Sequence, residues 1–391
     1  MESNLYGYQQ VTMMQKVINE EKDDTNGMWE EVQDSDRIYK LILEQNAKML
    51  VKSHEGLTAH GPFGNELQRD AGNEDMIHKI LSGDINPENY KDAYPTYSQE
   101  AEESIRQMKK DPRGSEMEWK YGPDEYRQIF SHTNESKSCG PSGLHMSHWI
   151  AALQSDLITA VHAHMTWMAF AMGIVYQRWR ISWHSMLQKL GKPYITKLRI
   201  VQLFEGDMNA FLKLVLGRTF MRKLINDGII NETTFGSIPG KDSTEAMKAL
   251  QFLFDNHRIL RNDLIVVFND AAGCYDRIRP NQAEICSRRL GCNTNISKTC
   301  TRIQNQMQHF IRTSTGISSG WIEWGETTGN EILTECDDDN NQILKGNLGG
   351  EGQGGGASPI MWLVILIVML NTFNVFTSGA VVKDPVTMKK Y

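Results

Sequence analysis

The sequence predicts an α+β protein, and three observations carry that expectation. Apolar residues recur at helical spacing over long stretches, as in 207–226, where Phe211, Leu214, Val215, Phe220 and Leu224 form one face. Residues 264–268 (LIVVF) are an unbroken apolar run with the length and β-branching of a strand buried on both faces. Residues 317–341 alternate weakly, which is the strand period.

The elements follow in chain order. Residues 1–60 are acidic and polar, with a helix expected over 37–51, Asp36 as its N-cap and Ile38, Leu41, Ile42 and Leu50 as its apolar stripe. Residues 54–75, rich in Gly, Asn and His, read as loop, and 100–110 as a short charged helix. The turn-rich stretch 136–148 (SKSCGPSGLHMSH) precedes one long apolar helix over 149–176. That helix contains His162 and His164, which are two apart and do not share a face. His145 and His148 do share one but lack acidic or cysteine partners, so all four read as structural. Residues 178–197 interleave Arg178, Trp179, Arg180, Trp183 and several lysines. They read either as a base-stacking, phosphate-binding surface or as amphipathic helix surface. Glycine and proline break the chain at 234–243, and a helix over 243–260 leads to the apolar run. Pro280 suits the first turn of a helix reaching about 290, and a further helix is expected over 297–312. Asp337, Asp338 and Asp339 read as a solvated loop, and 348–356 (LGGEGQGGG) as a flexible one. Residues 360–382 carry no charge, and 360–370 are continuously apolar. A buried helix and a membrane span both fit. Eleven apolar residues are short for a span, and Asn371 and Asn374 interrupt the next turn.

At 391 residues the chain can bury a sizeable core and hold two or three domains. Hydrophobic residues at 40% and charged residues at 23% are those of a soluble protein. The net charge of −7 argues against a generic nucleic-acid binder, but the charge is unevenly distributed. Residues 1–120 hold 14 Lys/Arg against 24 Asp/Glu, whereas 177–313 hold 21 against 11. The second region can therefore present a local positive surface. Six cysteines without a Cys-x-x-Cys pair suit no zinc site and read as reduced thiols. The N-terminus lacks a basic-then-apolar signal pattern, which predicts an intracellular protein of nucleus or cytoplasm.

The chemistry concentrates at Asp270, an acid at the C-terminal end of the apolar run, with Asp276 six residues on. A carboxylate there is costly unless it is paired or holds a metal, and hard oxygen ligands suit Mg²⁺.

Asp270-Ala-Ala-Gly-Cys-Tyr-Asp276 resembles the first palm motif of reverse transcriptases. Gly352-Gln-Gly-Gly-Gly-Ala-Ser-Pro359 resembles their second. Upstream, Lys197-Leu-Arg-Ile-Val-Gln-Leu-Phe204 resembles a fingers motif built round an arginine, and 235–246 (FGSIPGKDSTEA) the Gly-rich stretch that follows it. The four motifs stand in family order. The similarity is to retroelement enzymes of algal and protist type over about residues 130–391, more loosely over 50–130.

The resemblance implies right-hand polymerase fingers over 130–260 and a partial palm over 261–391, helix-rich with a small antiparallel sheet and no thumb. Residues 1–129 would be an acidic, partly ordered connector. It implies nucleotidyl transfer from deoxynucleoside triphosphates onto a primer paired with an RNA or DNA template. The implied cofactor is Mg²⁺ or Mn²⁺, held by Asp270 and the backbone carbonyl of Ala271. Arg199 would bind the triphosphate, with Lys189 or Lys192 as a second contact. Tyr275 would sit beneath the sugar as a gate against ribose, and Gln353 near the nucleotide's 3′-hydroxyl. Gly240, Lys241, Gly354, Ser358 and Pro359 would line the template path. Asp276 would be structural, pairing with Arg277 or Arg279 or capping the next helix.

One family feature is absent. After Gly354 the only acid is Asp384, before Pro385, where the family carries an Asp-Asp hairpin as its third palm motif. The expectation is a truncated and inactive polymerase domain. The alternatives are a non-catalytic nucleic-acid-binding remnant and a protein anchored through 360–382.

Overall fold

The computed structural model describes residues 13–17, 28–55, 58–59, 61–67, 73–93, 99–188, 195–230, 234–266, 268, 273–327, 329–350, 352 and 354–377. These form a mixed α+β fold. Strands β1 (Met13–Val17) and β2 (Met28–Val32) pair as an antiparallel ladder. Helix α1 (Ser35–Leu50) follows, starting two residues earlier than expected. Asp34, not Asp36, is its N-cap, and its carboxylate accepts the Arg37 N–H at 2.8 Å. Short helices α2 (Gly61–Leu67), α3 (Glu74–Ser82), α4 (Gln99–Arg106) and α5 (Pro123–Phe130) come next. The first of these lies inside the stretch expected to be loop, because Phe63 and Leu67 are fully buried in the core.

The long helix expected over 149–176 is two helices, α6 (Met146–Ala152) and α7 (Asp156–Met172). Ser155 separates them: its hydroxyl accepts the Ile158 N–H and caps α7. The basic-aromatic segment opens with a 3₁₀ turn (Gln177–Arg180) and then leaves the helical path. It forms β3 (Ile181–Gln188), and β4 (Leu198–Leu203) returns antiparallel beside it. Helix α8 (Gly206–Leu214), a π-helical turn (Val215–Phe220) and α9 (Met221–Asn226) then run on as one continuous rod. Helix α10 (Ser243–Ile259), capped by Asp242, is followed by α11 (Pro280–Arg288) and α12 (Thr294–Asn305). The helix expected to reach 312 therefore stops at Asn305, and β5 (Gln308–Thr313) begins. β6 (Gly316–Trp324), β7 (Ile332–Cys336), β8 (Gln342–Gly346) and α13 (Ser358–Phe376) complete the described chain.

The main sheet has six strands in the order β4-β3-β5-β6-β8-β7. It is mixed, not antiparallel as expected, since β3 runs parallel to β5 and β6 parallel to β8. Helix α1 lies across one face and buries Ile42, Leu43 and Ala47 with Ile311, Ile322 and Leu344. A larger helical core gathers residues from α2 to α9 and from α11 to α13. α13 is long and apolar enough to cross a membrane, yet Ile360, Met361, Val364 and Val368 are at most 3% exposed in that core. Its far end is different, with Met369, Phe373, Val375 and Phe376 exposed.

The apolar run 264–268 is the largest departure from expectation. Its described residues form no strand, and Ile265 and Phe268 are 89% and 78% exposed. An apolar run records a preference for burial but not the surface that would bury it, and no strand among the described residues pairs with this one.

Candidate nucleic-acid interface

The structure brings together two of the four motif stretches, 197–204 and 352–358, which lie about 150 residues apart in sequence. Gln202 of β4 is the meeting point. Its side chain is buried, with Nε2 2.8 Å from His184 Nε2 and 3.0 Å from His309 Nδ1. The glycine-rich chain passes directly over it. A Cβ on Gly352 would fall 1.3 Å from Gln202 Oε1, and one on Gly354 2.5 Å from the Gln202 carbonyl oxygen. Both glycines have positive φ, +64° and +122°, which side-chain-bearing residues rarely adopt. Ser358 Oγ donates to the Gly352 carbonyl at 2.7 Å, and the Gly356 N–H to Asn209 Oδ1 at 2.5 Å. Ser358 and Gly354 therefore serve a built loop, not a flexible one.

A second junction fixes the start of α8. Asp207 accepts from the Arg178 guanidinium and, at 3.1 Å, from Trp179 Nε1. Glu205 accepts the Ser142 N–H and hydroxyl at 2.6 and 2.8 Å. Burial raises the Glu205 carboxyl, and the Ser142 donors offset part of that. Trp179 is fully buried. Arg178 and Trp179 are thus structural anchors; neither offers a free face to a base.

These junctions frame an open cleft of about 390 Å³ between α5 and the turn after it, the end of β4, and α8 with its π-helical turn. Val201 to Phe204 and Gly354 line it, with Phe130, Met146 and Leu214 as apolar wall. Lys137, Lys213 and Arg218 also line it, and among the described residues no Asp or Glu does. Burial lowers the Lys213 ammonium pKa, and the neighbouring Lys137 and Arg218 charges lower it further.

Of the expected site residues that are described, only Gly354 lines this cleft. Arg199 is exposed on β4, opposite Leu187, and makes no ion pair among the described residues; the acids near it in sequence, Glu205 and Asp207, are engaged by Arg178. Tyr275 begins a short 3₁₀ turn (Tyr275–Arg277) and packs half-buried on the helical core, which raises its phenol pKa. Gly240, at φ +83°, faces open space, and Lys241 Nζ lies 5.2 Å from the Phe235 ring centroid. Pro359 takes the second position of α13. Asp270, Ala271, Lys189, Lys192 and Gln353 lie outside the described residues.

Asp276 departs from its expected role. It is buried, and burial raises its carboxyl pKa. Yet it pairs with neither Arg277 nor Arg279, because Arg279 reaches Asn347 Oδ1 at 3.1 Å. α11 has Arg279 at its N-cap position, with no side-chain cap. The acids at 337–339 form the β7–β8 turn, where Asp337 accepts the Asn341 N–H at 2.7 Å. His145 caps α6, as a structural histidine would.

Lys137, Lys213 and Arg218 were not legible as a group. Lys213 and Arg218 are five residues apart, which on an α-helix separates them by about 140°. The π-helical turn widens the repeat to i→i+5 and brings them toward one side. No family model matches the chain, and no curated protein matches it.

Proposed function

We propose that the chain carries the fingers and palm motifs of a reverse-transcriptase-type polymerase domain that binds a template–primer duplex. The observation that carries this reading is the seating of Gly352 and Gly354 on Gln202, which joins a fingers-like and a palm-like stretch distant in sequence. The glycines let the palm-like loop close onto the fingers-like strand, where a side chain would hold the two apart. Burial of the first half of α13 supports a palm helix over a membrane span. In this reading Arg199, Lys192, Tyr275 and Gln353 contact the incoming nucleotide and Gly240, Lys241 and Gly354 the template, while Ser358 and Pro359 hold the loop and start α13 behind it. The carboxylate of Asp270 and the carbonyl of Ala271 are the hard oxygen donors for Mg²⁺ or Mn²⁺, whose charge supports phosphoryl transfer when bound.

The test is a primer-extension assay on the 391-residue protein beside a version extended through an Asp-Asp hairpin and thumb. We expect the 391-residue protein to bind template–primer without extending it, since one motif carboxylate is too few for two divalent ions. The longer version should extend the primer and lose that activity on Asp270→Asn. Absence of template–primer binding at low salt would refute the reading.

A further inference from the structure

We propose that the cleft walled by Lys137, Lys213 and Arg218 is a phosphate-binding channel for a single-stranded polynucleotide, holding consecutive backbone phosphates. The inference rests on the polymerase reading and assigns to the strand three residues that lie outside every recognised motif.

Three observations converge here. The cations come from separate elements: Lys137 from the turn after α5, Lys213 from α8 and Arg218 from the π-helical turn. None forms an ion pair among the described residues, whereas Arg178, Lys223, Arg288 and Lys298 all do. Three like charges around one cleft repel each other, and a bound polyanion relieves that repulsion.

The backbone prepares the same place. Gly356 lies against Lys213, where a Cβ would fall 2.8 Å from the lysine Cβ. Gly217 approaches the Gly356 carbonyl, 2.9 Å from where its own Cβ would stand. The π-helical turn, the glycine loop and the cations are thus one assembly. π-Turns tend to occur at functional positions because they cost helix regularity.

The lining fits a nucleotide chain better than a bare anion. Its volume, about 390 Å³, lies within the roughly 300–1,000 Å³ of small-ligand sites. Partly exposed Ile129, Met146 and Leu203 offer apolar contact to a base or sugar, while the cations suit phosphate. Gly354 joins the cleft to the motif stretch on Gln202, so a strand held here continues toward the palm.

The experiment measures binding of a labelled twelve-nucleotide single strand to the full 391-residue protein by fluorescence anisotropy across a salt series. The triple variant Lys137→Gln, Lys213→Gln, Arg218→Gln is compared with a control triple at exposed lysines elsewhere, Lys40→Gln, Lys48→Gln and Lys79→Gln. We expect the cleft triple to weaken binding at least about tenfold and to flatten the salt slope by about 2, roughly 0.7 per phosphate contact of a single strand. The control triple should stay within about twofold of wild type. Charge-conserving Lys213→Arg with Arg218→Lys should retain binding, which separates charge from folding. If wild type binds and the cleft triple matches it in affinity and slope, the channel is wrong while the polymerase reading stands. If wild type does not bind at all, both fail. If pyrophosphate or a mononucleotide binds the cleft as tightly as the strand, the site serves a free phosphate, and the polynucleotide assignment is overturned.

Discussion

Two clusters of cations in this fold have the same residue types and opposite surroundings. Between α3, α11 and α12, Arg288 lies 3.1 Å from both Glu284 and Glu74, and Lys298 2.5 Å from Glu74. Burial alone would raise the Glu74 carboxyl, but Arg288 and Lys298 hold it down to about 2. At the cleft, Lys137, Lys213 and Arg218 line a wall without a carboxylate among the described residues. The first cluster is held by charge pairs that cross between helices. The second is held by backbone fit, glycine against glutamine and glycine against helix, and leaves its charges for something else. A basic composition therefore says little about binding until the acids that consume it are placed. In residues 177–313 several cations are consumed internally, and the cleft holds some that are not.

The comparison can be broken most forcefully at Arg288. Arg288→Met leaves Glu284 buried without its cation and should cost about 3–5 kcal/mol in urea unfolding. Adding Glu284→Gln should recover part of that loss. A loss below about 1 kcal/mol would mean the cluster is not what ties α11 to α3. The backbone side of the comparison is sharpened by Gly352→Ala. Its φ of +64° and the 1.3 Å approach to Gln202 predict about 1–3 kcal/mol of destabilisation by thermal melting. Gly236→Ala, with nothing within 4 Å, should stay within about 0.5 kcal/mol and serves as the reference.

The smallest effect separates burial from charge. His184 is fully buried, and burial, then His309, pushes its pKa well below the usual value. The native ring stays neutral while the unfolded ring takes a proton below pH ~6.5. Its stability contribution is thus complete above that pH and is lost as pH falls toward the folded pKa. Stability at pH 5.5 should be about 1 kcal/mol lower than at pH 7 on this account, and His184→Gln should flatten that difference.

The sequence was a good guide to elements that carry their own period. The helices at 37–51, 207–226 and 243–260 appear close to where apolar spacing put them, because a stripe and a cap are local facts. It failed where the partner is remote. Residues 264–268 have strand-like composition, but pairing is decided elsewhere in the chain, and Ile265 lies in solvent. Residues 308–312 were absorbed into a helix, although they are the strand that joins β3 to β6. Of the site, the glycine spacing at 352–358 was readable, and its seat on Gln202 was not. The cleft cations were invisible, since their grouping depends on a helical repeat that no α-helical template anticipates.

That repeat places a constraint on length rather than on residue identity. The turn at Val215–Phe220 accommodates one residue beyond the α-helical count. Deleting one residue there would remove the bulge and return the segment to the α-helical repeat, while α9 keeps Leu224 in the core. Arg218 would lose the i→i+5 spacing that brings it toward the side of Lys213. Most substitutions in this segment change one contact, whereas a one-codon deletion would part Arg218 from Lys213 and spare the core. The turn at Val215–Phe220 is therefore a spacer set by residue count, sensitive to length where the flanking helices are sensitive to side chains.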